Sequence, residues 1–389
     1  MQGKRILLCV TGGIAAYKAI ELASMLSKDG FLVRTVLTDS AKEFISPINF
    51  AAITHQSVHS SLWEDSDPIP HINLADWADL VVVAPATANT IAKAARGIAD
   101  NLLGNILLAH TKPVLWVPAM NVHMYENPIT QKNISRLLEK GDYVLKPQIG
   151  HLACGYNGQG KYPPNVDVVH AIKCYLGHKQ DLIGKKVLIT AGGTVEYIDP
   201  MRTIGNRSTG KMGIALARAL SLRGAELSLV YANISVDIPY HLYEAIAVNT
   251  VDEMYEVVMN LAKGKDWIIK CAAVSDYKPV QSSSHKIKKG SQLQLELQPT
   301  IDILAELGKI KASGQKLIGF AAETENLADN AKAKLIRKNL DLIVANHLDN
   351  AAQDTNSIYI IDGTGTGTEP LEGDKNLLAH MIIDRIIQL

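Results

Sequence analysis

Runs of consecutive apolar residues recur along the chain, and most are followed by a segment whose apolar residues have helical spacing. The run KRILLCV at residues 4–10 ends in a paired glycine turn and precedes a predicted helix at 15–28 and a predicted strand at 31–37. Further buried strands are predicted at 79–84 and 113–117. A strand that is apolar at every position is covered on both faces, as in a parallel sheet flanked by helices. The pattern therefore predicts a doubly wound α/β domain.

The same layout starts again near the middle of the chain. Residues 185–193, KKVLITAGG, repeat the two basic residues, the buried strand and the paired glycines. The second half is predicted to contain helices at 209–223, 251–263 and 300–311, and strands at 226–231, 243–248, 266–274, 293–297 and 317–322. A chain of 389 residues with 47% hydrophobic content exceeds what one core usually holds. We therefore predict two doubly wound, parallel-sheet α/β domains, at 1–176 and 185–389, joined by a linker at 177–184.

The balance of charges and the use of cysteine narrow the classes of function. Lysine plus arginine and aspartate plus glutamate both total 39, so there is no overall basic field to attract nucleic acid. The four cysteines form no CxxC pair, the first strand leaves no room for a signal peptide, and no apolar run is long enough to span a bilayer. We expect a cytoplasmic protein whose partners are small molecules or copies of itself, with no nucleic acid and no membrane among them.

Small and hydrogen-bonding residues follow the predicted strands of the first domain, at the edge where doubly wound sheets bind ligands. They are Gly12 and Gly13 after the first strand, Ser40 after the second, PATANT at 85–90 after the third and PAMN at 118–121 after the fourth. The turn TGGIAAYK lacks the GxGxxG fingerprint. Nicotinamide dinucleotide binding is therefore disfavoured, whereas a phosphate at the helix start is compatible with the sequence.

Two residues of the first domain are candidates for chemistry. His71 lies just before a predicted short helix, where it could equally be a surface or capping histidine. Cys154 lies in a glycine-rich loop, HLACGYNGQG, unlike the other three cysteines. A glycine-rich loop can close over a ligand as a flap, and a cysteine on it can then deliver a proton. The alternative is a cysteine without a catalytic role in a flexible loop.

The second domain carries a possible anion site. Residues 205–213, GNRSTGKMG, place hydroxyls, glycines and backbone N–H groups at the start of a predicted helix, which favours a phosphate or carboxylate, or else simply caps the helix. The lysines in KIKK at 286–289 could form a solvated face or meet a triphosphate, with Asp276 binding a metal ion. Lys334 and Lys338 are four residues apart on one helix face, so both could reach one anion.

Four motifs of the first domain, in order, resemble the flavin-dependent phosphopantothenoylcysteine decarboxylases. They are TGGIAAYK, PHINLADWADLVVVAPATANTIAK, PAMNVHMYENP and HLACGYNGQGK. The resemblance implies a flavodoxin-like domain that binds FMN through Gly12, Gly13, Ser40, Ala86, Thr87 and Asn89. It implies that His71 is the active-site histidine, that Asn121 handles the substrate carboxylate and that Cys154 is the proton donor. The family's flap commonly reads GRM where this chain has Gly160, Lys161 and Tyr162.

The chemistry of that family explains its need for a flavin. Loss of carbon dioxide from an ordinary cysteine carboxylate would leave an unstabilised carbanion. Oxidation of the thiol by the flavin supplies an electron sink, and the enethiolate then takes back a hydride and a proton.

The second half resembles the phosphopantothenate-cysteine ligases that use CTP, through ITAGGTVEYIDPMR, NRSTGKMG, AAVSDYKP, KIKK, IGFAAET and KLIRKNLDLIVAN. This implies a Rossmann-like ligase domain in which Asn206 binds the acyl group and Lys286 stabilises charge as an acyl-cytidylate forms. The nucleotide contacts implied are Ala272, Ala273, Asp276, Lys286, Ile301, Asp302, Ile303, Leu304, Phe320, Lys334 and Lys338. Asp276 would bind Mg²⁺ or Mn²⁺. GGTVE at 192–196 and QPTID at 298–302 depart from the commoner GPTRE and NPD patterns.

Both halves in one chain look like the bifunctional bacterial enzymes of coenzyme A biosynthesis. That resemblance implies a trimeric first domain and a dimeric second domain, and so a homo-oligomer, a dodecamer. The sequence leaves two alternatives to this function. A nicotinamide-dependent reductase is disfavoured by the missing fingerprint, and a non-enzymatic flavin-binding regulatory module would not need Cys154.

Overall fold

The chain divides into two compact units, Met1–Lys179 and Gln180–Leu389. The computed structural model describes residues 3–63, 68–153, 155–178, 180–239, 242, 244–289, 293–323, 327–347, 355–364 and 367–389. Within these ranges, none of the helices combines the length and the apolar character that a membrane span requires.

The first unit contains a sheet in which every described pairing is parallel. Its strands are β1 (Arg5–Val10), β2 (Leu32–Leu37), β3 (Val58–His59), β4 (Leu80–Ala86), β5 (Val114–Pro118) and β6 (Tyr143–Val144), in the order β3-β2-β1-β4-β5-β6. Strands β1 and β4 pair at the centre, where the strand order reverses. This reversal is the point at which open α/β sheets bind ligands.

Helices connect these strands. They are α1 (Tyr17–Lys28), α2 (Asp39–Lys42), α3 (Pro47–Thr54), α4 (Pro70–Trp77), α5 (Ala88–Arg96), α6 (Leu102–Ala109), α7 (Val122–Glu126), α8 (Pro128–Glu139) and α9 (Asn165–Gly177). Residues Ile6–Val10 are fully buried, as the all-apolar pattern predicts for a strand covered on both faces. A short 3₁₀ turn, Ile14–Ala16, precedes α1, so the predicted helix at 15–28 begins with a tighter turn.

The glycine-rich loop after β6 forms an antiparallel hairpin of β7 (Gln148–His151) and β8 (Asn157–Lys161). Its strand β8 lies against the segment that begins α7. The carbonyl of Gly160 accepts a hydrogen bond from Met120 N at 3.0 Å, and a Cβ at Gly160 would lie 2.3 Å from Met120 O. A Cβ at Gly158 would lie 2.6 Å from Val122 Cγ2. The glycines of β8 therefore allow the hairpin to approach the backbone next to Asn121.

The second unit contains a mixed sheet. Its strands are β9 (Lys186–Gly192), β12 (Glu226–Ala232), β13 (Glu244–Ala247), β14 (Trp267–Lys270), β17 (Lys316–Glu323), β18 (Leu342–His347), β19 (Thr355–Asp362) and β20 (Leu371–Asp374), in the order β13-β12-β9-β14-β17-β18-β19-β20. Two short hairpins lie outside it, β10 (Val195–Asp199) with β11 (Arg202–Gly205), and β15 (Tyr277–Pro279) with β16 (Leu297–Pro299). The pairings from β13 to β18 are parallel, whereas β19 and β20 are antiparallel.

Two hydrophobic layers cover the faces of this sheet. The helices of the second unit are α10 (Lys211–Leu222), α11 (Val251–Ala262), α12 (Ile303–Ile310), α13 (Leu327–Arg337) and α14 (Lys375–Gln388). Buried residues of α10 and α14 belong to one layer, and buried residues of α11, α12 and α13 belong to the other. The α/β class with parallel strands covered on both faces is confirmed, and the antiparallel edge adds to it.

Two of the predicted strands are shorter in the structure. The strand predicted at 266–274 ends at Lys270, after which residues 271–276 form the turn at the end of β14. The strand predicted at 293–297 is wrong for its first four residues, since pairing starts only at Leu297. The alternating leucines there suggested an exposed strand, but the partner, β15, is only three residues long and pairs with 297–299.

Candidate active sites

The carboxyl edge of the first sheet brings together the turns that follow β1, β2 and β4. A Cβ at Gly12 would lie 2.3 Å from Ser40 Cβ, so only glycine permits this contact between the two turns. The Thr11 hydroxyl donates to Pro85 O at 2.7 Å and accepts from Thr87 N at 3.1 Å, which ties β1 to the end of β4. A Cβ at Gly13 would lie 3.7 Å from Thr87 Cγ2. Of the residues predicted to bind FMN, Gly12, Gly13, Ser40 and Thr87 therefore meet at one place.

The two helices that start at this edge are capped differently. Thr87 caps α5, with its hydroxyl accepting from Thr90 N at 3.3 Å. The 3₁₀ turn that precedes α1 starts at Gly13 and has no side-chain cap. No side chain therefore competes for its first N–H groups, an arrangement that suits a phosphate. Asn89 lies exposed on the first turn of α5.

Asn121 follows β5 at the same edge. The carbonyl of Ala86 accepts from Ala119 N at 3.1 Å, which joins the turn after β4 to the turn after β5. Asn121 Oδ1 caps α7 by accepting from His123 N at 2.8 Å. The backbone next to Asn121 is also where the β7-β8 hairpin lies. The hairpin turn closes through bonds from Leu152 N to Tyr156 O and from Gly155 N to Leu152 O.

Cys154, predicted to be the proton donor, lies outside the described residues. His71 lies on the first turn of α4, and its Nδ1 is buried without a hydrogen-bond partner in the protein. A buried ring nitrogen of this kind normally has a partner, so it is a polar group open to a ligand or water. The described contacts do not join His71 to the glycine turn.

The second unit contains a cavity of about 560 Å³ at the carboxyl edge of its parallel strands. One wall is the turn from Asn206 to Gly213, which leads into α10. The start of α12 also lines the cavity, as do Lys334 of α13 and Lys338, the residue after that helix. Residues 270–276, at the end of β14, complete this part of the lining.

Nearly all residues predicted for the nucleotide meet in this cavity. Its lining includes Asn206, Ala272, Ala273, Asp276, Ile301, Asp302, Ile303, Leu304, Phe320, Lys334 and Lys338. Lys286 is the exception, since it is exposed and does not line the cavity. Its neighbour Ile287 donates its N–H to Asp199 Oδ2 at 3.1 Å, which attaches this segment to the β10-β11 hairpin.

Hydrogen bonds to backbone carbonyls position the side chains at the cavity. Asn206 Nδ2 donates to Val274 O at 2.8 Å, and Lys334 Nζ donates to Phe320 O at 3.2 Å. Asp302 caps α12 and forms an ion pair with Lys338 Nζ at 2.6 Å. Burial acts to raise the pKa of Asp302, but the hydrogen bonds from Lys338 and Ala305 N and the charges of Lys338 and Lys334 together lower that pKa. Asp302 is therefore an ionised partner of Lys338.

Two buried lysines in the lining were not predicted from the sequence. Lys270 ends β14 and is 6% exposed, and Lys375 begins α14 and is 5% exposed. Burial and then the nearby lysines lower the pKa of Lys270 to about 7. Burial raises the pKa of the Cys271 thiol to about 12, although Lys270 and Lys375 act in the opposite direction. The burial of Lys270 could have been predicted, because this lysine ends the otherwise apolar strand WIIK. Nothing in the sequence distinguishes Lys375 from a surface lysine.

The described residues contain no group of three or more His, Cys, Asp or Glu side chains that could hold a metal ion by itself. Asp276, the predicted metal ligand, is exposed at the cavity. Mg²⁺ is commonly held by one or two carboxylates together with substrate phosphates. Asp276 alone is therefore compatible with a metal that arrives with a nucleotide.

Comparison with known proteins assigns the two halves separately. Residues 1–177 match the family described as Flavoprotein, and residues 182–389 match the DNA/pantothenate metabolism flavoprotein C-terminal domain. A crystal structure of the C-terminal domain of a coenzyme A biosynthesis bifunctional protein CoaBC is 38% identical, with a TM-score of 0.46, over 53% of this chain and 95% of that one.

Two curated relatives extend over nearly the whole chain. The coenzyme A biosynthesis bifunctional protein CoaBC of Bacillus subtilis (strain 168) is 46% identical over 89% of this chain and 86% of its own length. The protein of the same name from Haemophilus influenzae (strain ATCC 51907 / DSM 11121 / KW20 / Rd) is 39% identical over 98% of this chain and 97% of its own length. The chain therefore belongs to the family of coenzyme A biosynthesis bifunctional proteins CoaBC.

Proposed function

We propose that this protein ligates cysteine to 4'-phosphopantothenate through an acyl-cytidylate formed from CTP, and then decarboxylates the product to 4'-phosphopantetheine with FMN. Family membership makes the chain a bifunctional enzyme with ligase and decarboxylase activities, as the sequence predicted. The observation that most supports the finer assignment is the convergence of Asn206 and all the predicted nucleotide contacts except Lys286 on one cavity.

In the ligase half, a carboxylate is a poor electrophile and must be activated. Its oxygen attacks the α-phosphate of CTP, and pyrophosphate leaves with the electron pair of the broken P–O bond. Lys334 and Lys338 lie on the wall of the cavity, where their charges can neutralise phosphate oxygens. Asn206 retains amide hydrogen-bonding capacity beyond its bond to Val274 O and orients the acyl group. The amine of cysteine then displaces CMP.

The decarboxylase half uses the first sheet edge. The uncapped turn at Gly13 and the close contact of Gly12 with Ser40 fit a phosphate at this edge, with Thr87 beside it and Ala86 and Asn89 around it. FMN would accept two electrons from the thiol end of the substrate and return them after carbon dioxide has left. Asn121 would orient the substrate carboxylate. Cys154 would supply the final proton, and His71 would contribute its partnerless Nδ1 as a hydrogen-bonding group.

We further propose roles for Asp276 and Lys286 and an assembly of several chains. Asp276 holds Mg²⁺ or Mn²⁺ together with the triphosphate. Lys286 reaches the nucleotide through a movement of the segment attached to Asp199, or from a second copy of the chain. Trimeric first domains and dimeric second domains assemble into a dodecamer, and light scattering in solution should then report the mass of twelve chains.

A product assay on the purified full-length chain tests the function. With 4'-phosphopantothenate supplied, release of carbon dioxide should require both CTP and cysteine, and the protein should be yellow. A colourless chain that stays inactive when FMN is added would refute the decarboxylase half. Ligation that proceeds equally well without any nucleoside triphosphate would refute the ligase half.

Flavin binding should depend on the close contact between Gly12 and Ser40. Gly12→Ala is expected to lower both the flavin content and the Tm, because the new methyl group overlaps Ser40 and overpacking costs about 1–3 kcal/mol. Gly13→Ala is the matched control for stability, since its Cβ would make an ordinary contact with Thr87 at 3.7 Å. Flavin absorbance per chain and thermal unfolding measure the two effects. Equal Tm values for wild type and Gly12→Ala would contradict the packing argument.

A further inference from the structure

We propose that Lys270 is a catalytic base of the ligase half, which takes a proton from the cysteine amine as that amine attacks the acyl-cytidylate. This inference rests on the proposed ligase function and adds a residue to its second step. None of the roles carried over from the family resemblance involves Lys270.

The position of Lys270 supports this role. It is the last residue of β14, in the middle of the sheet, where it pairs with Thr190 of β9 and Gly319 of β17. It lines the cavity, is 6% exposed, and its Nζ donates to Ala272 O at 3.2 Å. Asn206 is hydrogen-bonded to Val274 O, two residues further along the same turn. Lys270 and Asn206 both line the cavity of about 560 Å³, so the two side chains border the same substrate space.

Burial is the main factor that favours the neutral form of Lys270, and nearby charges act in both directions. Lys334 lies in α13, and Lys338 is the residue after that helix. The positive charges of both lysines lower the pKa of Lys270. Asp302, at the start of α12, acts in the opposite direction, but that carboxylate already pairs with Lys338 at 2.6 Å. Cys271, the residue after β14, would raise the pKa of Lys270 only as a thiolate, and burial keeps its thiol protonated at neutral pH. With a pKa of about 7, the amine is largely neutral above that pH and can accept a proton.

Other titratable groups of the lining are less suited to this step. Asp302 is held ionised in its ion pair and caps α12. The Cys271 thiol, with its pKa raised to about 12, remains protonated at neutral pH. No histidine is present in the described lining of the cavity. Asp276 is assigned above to the metal ion. Lys270 is the lysine of the described lining whose pKa is lowered to about 7, and it is the base that we assign to this step.

Transfer of the acyl group to cysteine forms one bond, breaks one bond and moves two protons. The cysteine amine enters as the neutral form, having lost its first proton to water, and its nitrogen forms a bond to the acyl carbon. The second proton on that nitrogen moves to Lys270 Nζ. The bond between the acyl carbon and the phosphate oxygen breaks, and CMP leaves with the electron pair. The new charge on Lys270 then lies near the phosphate that has gained a negative charge, and release of CMP and of the proton restores the amine.

Partial reactions of the full-length protein separate this role from binding. Lys270→Met removes both the base and the charge, whereas Lys270→Arg keeps the charge but cannot become neutral at these pH values. Pyrophosphate release with CTP and 4'-phosphopantothenate, without cysteine, reports formation of the intermediate. Rapid quench after addition of cysteine reports the transfer step, measured as a function of pH. Lys375→Met, at the other buried lysine of the cavity, is the matched control.

Both Lys270 variants are expected to release pyrophosphate and to slow the transfer by about 10²–10⁴-fold, the usual contribution of a general base. The wild-type transfer rate, expressed per neutral cysteine amine, should rise with pH to a plateau, because Lys270 is neutral above its pKa. That inflection should be absent from both variants and present in Lys375→Met. Transfer at the wild-type rate in Lys270→Arg would overturn the proposal in favour of a purely cationic role. Equal loss of pyrophosphate release and transfer would overturn it in favour of a role in binding. Absence of pyrophosphate release from the wild type would instead contradict the ligase function itself.

Discussion

Asn206→Asp is expected to lower the rate of ligation by about 10²–10³-fold, the size of effect seen when one donor to a developing oxyanion is removed. Asn206 Nδ2 donates to Val274 O at 2.8 Å, so a carboxylate at this position would face a carbonyl oxygen with no proton between them. It would also add a negative charge to a cavity that has to accept a triphosphate and a carboxylate. Formation of the 4'-phosphopantothenoylcysteine product from CTP and cysteine measures the effect.

The same variant separates the two halves of the chain. Decarboxylation of supplied 4'-phosphopantothenoylcysteine should be unchanged, because Asn206 belongs to the second unit and the proposed FMN edge belongs to the first. Asn233→Asp is the matched control, since Asn233 Nδ2 also donates to a backbone carbonyl, Gly193 O at 2.9 Å, but does not line the cavity. An equal loss of ligation in both variants would show that the effect is structural.

The fold class could be predicted from the sequence because buried parallel strands have an unmistakable pattern. The runs at 5–10, 80–84 and 186–192 are apolar or small at nearly every position, and all are buried central strands in the structure. Strand ends in such sheets meet at one edge, so the turns that follow them could be expected to meet as well. The contact between Gly12 and Ser40 and the cavity of the second unit are consequences of that topology.

Other features depend on tertiary contacts that no local pattern encodes. At the antiparallel edge of the second sheet, β19 pairs with β18 and with β20. The sequence of a single strand does not show which strand it pairs with, in which direction or in which register. Lys375 resembles a surface lysine until α14 packs against α10 and buries its first residue. The β7-β8 hairpin was expected only as a mobile loop, because its strand NGQGK is rich in glycine and has no strand propensity.

In the candidate site of the second unit, too, the sequence predicts some residues, but their contacts depend on tertiary structure. The resemblance to the ligases implies that Asp302 contacts the nucleotide, but its pairing with Lys338 depends on how α12 and the end of α13 come together. For Lys286 the sequence placed the residue after a strand-end aspartate, whereas the described segment is attached to Asp199 outside the cavity. Its predicted role therefore depends on a movement or on a second chain.

Cys154→Ser is expected to lower the rate of decarboxylation by about 10²–10⁴-fold, the usual contribution of a general acid. The reference pKa of a cysteine side chain is about 8.5, whereas an alcohol is a far weaker acid and cannot donate its proton at a comparable rate. The β7-β8 hairpin lies next to Asn121 through the bond between Met120 N and Gly160 O. Cys154 lies outside the described residues, and its proposed role rests on the family resemblance. Carbon dioxide release from supplied 4'-phosphopantothenoylcysteine measures the effect.

The Cys154→Ser protein should remain yellow and should still ligate cysteine, so that 4'-phosphopantothenoylcysteine accumulates when all substrates are present. Cys271→Ser is the matched control for decarboxylation, because its thiol belongs to the second unit and burial keeps it protonated, with the pKa raised to about 12. Decarboxylation at the wild-type rate by Cys154→Ser would remove the proton donor from the scheme. It would also favour the alternative in which the first unit binds a flavin only for regulation.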